Sequence, residues 1–169
     1  MPVQLDADLP TPLIPLVWMI GTWAGVGVIG YPGVPESRFA QELTIGHDGR
    51  PFLIHSSRTW LIDEDGNNIK QSGSETGYWR VDGTDEAGVT GVELLLAHPT
   101  GVVEIYLGQV TGAKAELATD AVLRTGTAKE YNAAARLYGL VEGDLLWAMD
   151  MAAMGQPLQP HASARLKRT

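Results

Sequence analysis

The chain carries four histidines, His47, His55, His98 and His161, and no cysteine. An imidazole can ligate a metal or move a proton near neutral pH, so these four side chains bound the available chemistry. Lack of cysteine removes thiolate ligands, disulfides and covalent haem attachment through Cys-x-x-Cys-His. No two histidines stand at the short spacings that build a local zinc site, and no Gly-x-Ser-x-Gly is present. His47 in HDGR and His98 before Pro99 read as solvated turn residues. His55 sits mid-run in FLIHSSRTW, in phase with Leu53, Ser57 and Thr59, and either lines a half-polar cavity or faces solvent. His161 opens the final run, in phase with Ser163 and Arg165 and out of phase with Ala162, Ala164 and Leu166. Alternation alone makes it a surface histidine, although a barrel holding a cavity need not be apolar inside at every level. Asp63, Glu64, Asp65, Asp82, Asp85, Glu86 and Glu142 gather in turns, and spacing nominates no carboxylate pair for acid–base work. Met149 and Met151 share a face near Met154, a pattern that usually fills a core.

The elements that must position these residues are strands. Alternating apolar and polar runs are expected at 21–31, 38–47, 51–63, 69–82, 92–99, 102–110, 113–122, 128–141, 145–153 and 161–168. Asp-Gly and related turn pairs separate them. Of these, the alanine-rich 128–141 would also suit a helix. Thr11-Pro12 reads as an N-cap followed by proline at the first helical position, giving one or two short helical turns over PLIPLVWMI, limited by Pro15. Short connections imply antiparallel, up-and-down order. About ten such strands in a flat sheet would leave two exposed edges, and closure into a barrel removes them. The expected fold is therefore all-β, a ten-stranded antiparallel up-and-down barrel wide enough for a small ligand, with a two-sheet sandwich as the alternative. Residues 1–11 read as a loose lead-in and 12–169 as one domain.

Composition narrows the function classes. The net charge of −8 opposes binding to a phosphate backbone, and the only basic cluster is RLKR near the end of the chain. The first residues lack the basic region and unbroken apolar run of a signal peptide. No segment approaches the roughly 18 apolar residues of a membrane helix. A soluble, cytoplasmic protein with no nucleic-acid or membrane partner is expected.

Glycine is concentrated in GTWAGVGVIGYPG at 21–33, a stretch otherwise suited to a strand. Gly21, Gly25 and Gly27 share one face with Trp23. Small residues on one face permit close backbone approach or sharp coiling where a barrel must close. The pattern Gly21-x-Trp23-x-Gly25-x-Gly27 followed by Tyr31-Pro32 resembles the signature of the nitrobindin family, haem-binding β-barrels also described as peroxynitrite isomerases. RPFLIHSSRTW (50–60), SETGYWRV (74–81), LLLAHPTGVVEI (94–105), GTAKEY (126–131) and MAAMGQPLQPHASARLKR (151–168) agree in order and spacing. The resemblance covers nearly the whole chain from about residue 12.

The resemblance implies a ten-strand barrel shaped like the fatty-acid carriers, holding one non-covalent haem b per subunit. It makes His161 the axial iron ligand, against the surface position that alternation suggests. Lys129, in the GTAKE block, matches a position that contacts haem, where a basic residue could pair with a propionate. The implied activity is conversion of peroxynitrite to nitrate at ferric haem, with nitric oxide as a second ligand; a homodimer is left open. Two positions depart from the family pattern: Ile29 stands where a glycine is usual, with Gly30 shifted by one, and Pro32-Gly33-Val34 replaces the usual ending. His55 stands where an aromatic is expected in close relatives, and facing the iron it would act as a distal hydrogen-bond donor or sixth ligand. The alternative from another class is a non-catalytic carrier of a small hydrophobic ligand.

Overall fold

The computed structural model describes residues 7–169, so the first six residues of the expected lead-in lie outside the described residues. Ten antiparallel strands follow one 3₁₀ helix at Thr11–Met19. They are β1 Gly21–Tyr31, β2 Val34–Gly46, β3 Phe52–Ile62, β4 Asn68–Thr84 and β5 Thr90–His98. The second half comprises β6 Val102–Thr111, β7 Lys114–Arg124, β8 Tyr131–Val141, β9 Asp144–Ala153 and β10 Gln159–Arg168. Each strand pairs with its neighbours in the chain, and β1 pairs with β10 to close the barrel. Closure sets aside the two-sheet sandwich. The alanine-rich segment is strand β8 and not a helix, because both its edges are taken up by β7 and β9.

The helix differs in detail from its expected form. Pro10 is the capping residue and Thr11 makes no side-chain cap. Two prolines within nine residues remove backbone donors, and the tighter 3₁₀ form results. Its three-residue period places Leu13, Leu16 and Met19 on one face, and all three are buried. They join Trp23, Trp79, Leu43, Leu53 and Leu94 in the core, filling the end of the barrel where β1 begins. Trp23, fully buried, donates its indole N–H to the Met19 carbonyl at 3.0 Å, and the Arg168 guanidinium lies 4.2 Å over its ring. No helix among the described residues is long and apolar enough to cross a membrane.

Closure explains the glycine-rich first strand. A Cβ on Gly25 would stand 2.2 Å from the Arg165 carbonyl oxygen. A Cβ on Gly27 would stand 2.3 Å from the Ser163 carbonyl and 2.4 Å from the Phe39 ring. Both carbonyls belong to β10, so the glycines admit the last strand against the first. Backbone cannot yield as a flexible side chain can. Gly27→Ala therefore costs about 1–3 kcal/mol through overpacking, read as a lower urea midpoint with an unchanged slope.

Candidate functional site

The end of the barrel away from the helix is not filled by side chains. It holds a cavity of about 610 Å³, within the range that takes a small molecule or cofactor. Its two sides differ in chemistry. Ile29, Phe39, Trp147, Met149, Met151 and Ala162 form one wall, from β1, β2, β9 and β10. Opposite them stand Ser57, Glu75, His98, Glu104, Tyr131 and Arg136, from β3 to β6 and from β8. Met149 and Met151 do alternate inward together, and they line this space along with Met154.

His161 faces the cavity because the ladder breaks beneath it. Pairing of β10 with β9 shifts between Pro160 and Ala162, which makes His161 the extra residue of a β-bulge. A bulge re-aims a side chain that strict alternation would send outward. His161 and Ala162 consequently both line the cavity, although they are adjacent. A second irregularity lies next to it, where the register of β1 with β2 shifts between Ile29 and Tyr31. Pairing of β1 with β10 ends at Ile29 and Ala162, which leaves the Gly30 carbonyl outside that ladder. This carbonyl accepts a hydrogen bond from His161 Nδ1 at 3.0 Å. A carbonyl can only accept, so Nδ1 carries the proton and Nε2 presents its lone pair. Burial pushes the imidazole below its ordinary 6.5, the Gly30 bond opposes that shift, and the Arg136 charge reinforces it. The result is a neutral histidine of fixed tautomer, the state a metal ion requires.

The polar wall is one connected network. Arg136 grips both oxygens of Glu75 at 2.9 and 2.8 Å and donates through Nε to Tyr106 and through Nη1 to Tyr138. Glu104 accepts from the hydroxyls of Tyr106 and Tyr131 and pairs with His98 Nε2. Burial alone would raise both carboxyls. Arg136 together with His55 instead holds Glu75 well below the usual carboxylate range. His98 and Arg136 hold Glu104 down in the same way. Burial and the neighbouring Glu104 push the phenols of Tyr106 and Tyr131 up, so both remain donors.

The other expected residues fall at different depths. Lys129 lines the cavity at its mouth, exposed, between β7 and β8. Gly21, Trp23, Gly25 and Gly27 do not line the cavity and belong to the closing seam. Ile29, which stands where the family usually has glycine, lines the cavity wall. His55 is 1% exposed and lies behind Glu75. Its Nε2 meets Glu75 at 3.0 Å and its Nδ1 accepts from Trp79 Nε1 at 3.1 Å, so both ring nitrogens are engaged within the protein. His98 is no free turn residue, since it lines the cavity against Glu104. Glu75, Glu104, Tyr131 and Arg136 were not reached by motif reasoning. For Glu104 and Arg136 the one signal is phase, because each stands two residues before a tyrosine on the buried face of its strand.

Removing one partner of a buried ion pair leaves an uncompensated charge. Arg136→Met therefore lowers stability by about 3–5 kcal/mol at neutral pH, measured by chemical denaturation. The loss shrinks as pH falls towards and through the ordinary glutamate value of 4.5, because burial makes Glu75 easier to protonate once its arginine is gone.

The donor set and the walls fit a haem: a neutral imidazole with Nε2 presented, thioether and aromatic walls, and a cation at the mouth. Comparison with known proteins agrees. A family model described as "THAP4-like, heme-binding beta-barrel domain" matches residues 12–168. A ferric nitrobindin-like protein of Kineococcus radiotolerans is 50% identical, with 99% of each chain covered. A protein of Nocardioides sp. named peroxynitrite isomerase is 46% identical, again over 99% of each chain. The crystal structure of Rv2717c from M. tuberculosis superposes with a TM-score of 0.83 at 38% identity, covering 96% of this chain and 99% of that one. Fold, site chemistry and sequence together place the chain in the THAP4-like haem-binding β-barrel family, to which the nitrobindins belong.

Proposed function

We propose that the chain binds one haem b non-covalently with His161 Nε2 as axial ligand, isomerises peroxynitrite to nitrate, and also takes nitric oxide. The observation that carries this reading is the hydrogen bond from His161 Nδ1 to Gly30, which fixes the tautomer of a half-buried, neutral imidazole on an apolar cavity wall. The haem iron, when bound, supplies the Lewis-acidic and redox-active centre for peroxynitrite and nitric oxide. The chain's own residues do the rest. Met149, Met151, Phe39 and Trp147 would exclude water from the bound group, and Lys129 at the mouth would offer a cation to a carboxylate of it. His55 acts through Glu75 in place of a direct distal contact, since its own nitrogens are engaged.

The carrier alternative is disfavoured for anionic lipids. A fatty carboxylate needs a free donor inside the barrel, and Arg136 already spends its donors on Glu75, Tyr106 and Tyr138 with Glu104 3.8 Å away. A cytoplasmic setting without nucleic-acid partners completes the reading, in line with the net charge of −8. A homodimer is the assembly proposed, because β6 turns Val103, Ile105 and Leu107 outward at 48%, 37% and 43% exposure. Light scattering that returns the 18.2 kDa monomer mass at micromolar concentration removes the dimer.

Titration with hemin yields a Soret band that saturates at one equivalent and is lost in His161→Ala. Stopped-flow decay of peroxynitrite then gives nitrate as product, with a rate that depends on His161. An unchanged spectrum in His161→Ala overturns the reading. Acid weakens uptake, with a definite sign. The folded imidazole titrates below 6.5, so Nε2 stays available from neutral pH down through that value and is lost to a proton only at lower pH. Over the same window the unfolded chain binds the proton first, so the stability of the haem-free protein also falls as pH drops.

A further inference from the structure

Tyr31 ends β1, is 7% exposed, and has no part in the closing glycine pattern. Its hydroxyl donates to the Met151 carbonyl at 2.8 Å and accepts from the Ala153 amide at 3.0 Å. Both partners are on β9, two strands away in a barrel where β10 lies between β1 and β9. The cross-link therefore spans the start of β10, where Met151 pairs with Gln159, two residues before the bulged His161. The Tyr31 ring meets the imidazole edge-on, with centroids 5.6 Å apart and planes at 90°. The preceding residue, Gly30, supplies the carbonyl that holds Nδ1. Two consecutive residues thus touch the same imidazole, one through a hydrogen bond and one through a ring face or edge.

A hydrogen bond to Nδ1 fixes the tautomer only while the ring stays in line with the Gly30 carbonyl, and one bond alone does not stop the imidazole from swinging out of line. An edge-on aromatic neighbour limits the swing. The neighbour can do so only if it is itself fixed, and the two backbone bonds to β9 fix it. We infer that Tyr31 is a positioning residue for His161: its hydroxyl ties the bulged start of β10 between β1 and β9, and its ring sets the plane in which Nε2 faces the cavity. The inference rests on the proposed ligand role of His161 for its consequence, although the geometry stands without it.

The test uses the whole chain, with Tyr31→Phe keeping the ring and removing the cross-link, and Tyr31→Leu removing both. In the haem-free protein at neutral pH, nitrogen-15 shifts of His161 report the tautomer. The unaltered chain is expected to show one Nδ1–H form, Tyr31→Phe a mixture, and Tyr31→Leu a fuller mixture. Hemin affinity is expected to fall by about 10–100-fold in Tyr31→Phe, as loss of a group supporting a metal ligand typically does. Circular dichroism like that of the unaltered chain separates this from unfolding. Unchanged tautomer and unchanged hemin affinity in both variants overturn the inference. Should the variants not fold, hydrogen exchange on the unaltered chain decides, since a fast-exchanging Ala153 amide also overturns it. Failure of the unaltered chain to take up hemin refutes the ligand reading alone, while the tautomer measurement still judges Tyr31.

Discussion

The close approach of β1 to β10 is the contact on which the rest of the structure depends. It converts a ten-strand meander with two edges into a closed barrel, and it is made possible by glycines whose added Cβ atoms would meet β10 carbonyls. The same seam ends at Ile29 and Ala162. Beyond that point the two strands no longer exchange ladder bonds, and each carries an irregularity. The freed Gly30 carbonyl and the bulged His161 then find each other. One seam therefore closes the fold along most of its length and, at its end, builds the pairing that presents Nε2. Architecture and site are successive segments of one strand pair.

Opposite the seam, the energetic problem is the burial of charge. Two glutamates and one arginine sit inside the barrel, a choice that would be costly if any member lacked a partner. Each has several: Glu75 has Arg136 and His55, and Glu104 has two phenols and His98. No buried side-chain nitrogen or oxygen among the described residues lacks a hydrogen bond. A network satisfied to this degree is rigid. It also leaves the arginine with little to offer a ligand, so the cavity differs from an anion clamp despite holding a guanidinium.

Much of the fold was legible in the sequence because strand alternation and turn chemistry are local signals. All ten strands fall where the runs of alternating residues lie, with ends displaced by a few residues. Closure was legible too, through the shared face of Gly21, Trp23, Gly25 and Gly27. His161 shows where such reading stops. A period of two assigns it to the surface, and a one-residue bulge reverses that assignment without leaving any trace in the alternation itself. Only resemblance to a family pointed to it. Lys129, named on the same ground, lies at the mouth of the cavity. The polar wall was missed for a different reason: Glu75, Glu104 and Arg136 come from three separated strands, and no spacing along the chain encodes their meeting. His98 was read as a solvated turn residue because a Pro-containing turn hides which way the last strand residue points.

Irregularity in the ladder is distributed unevenly along the barrel axis, and this has a consequence for how one domain supports both stability and a ligand site. Near the helix, Trp23, Trp79, Leu13 and Leu145 are fully buried and fill the interior. Near the cavity, register shifts occur in β1–β2, β10–β9, β3–β4 and β8–β9, while β6–β7 shifts at mid-strand between Ile105 and Tyr106 and β4–β5 shifts at the helix end between Val81 and Thr84. Each extra residue bends its strand and loosens the pairing around it. Bulges on several strands at one level turn side chains off the strict in–out pattern and keep the interior there from being filled. The packed end can then hold the register of most strands while the open end departs from it. A site built this way needs its departures pinned one by one, which is what the Gly30 carbonyl does for the imidazole and the Tyr31 hydroxyl does for the flanking backbone.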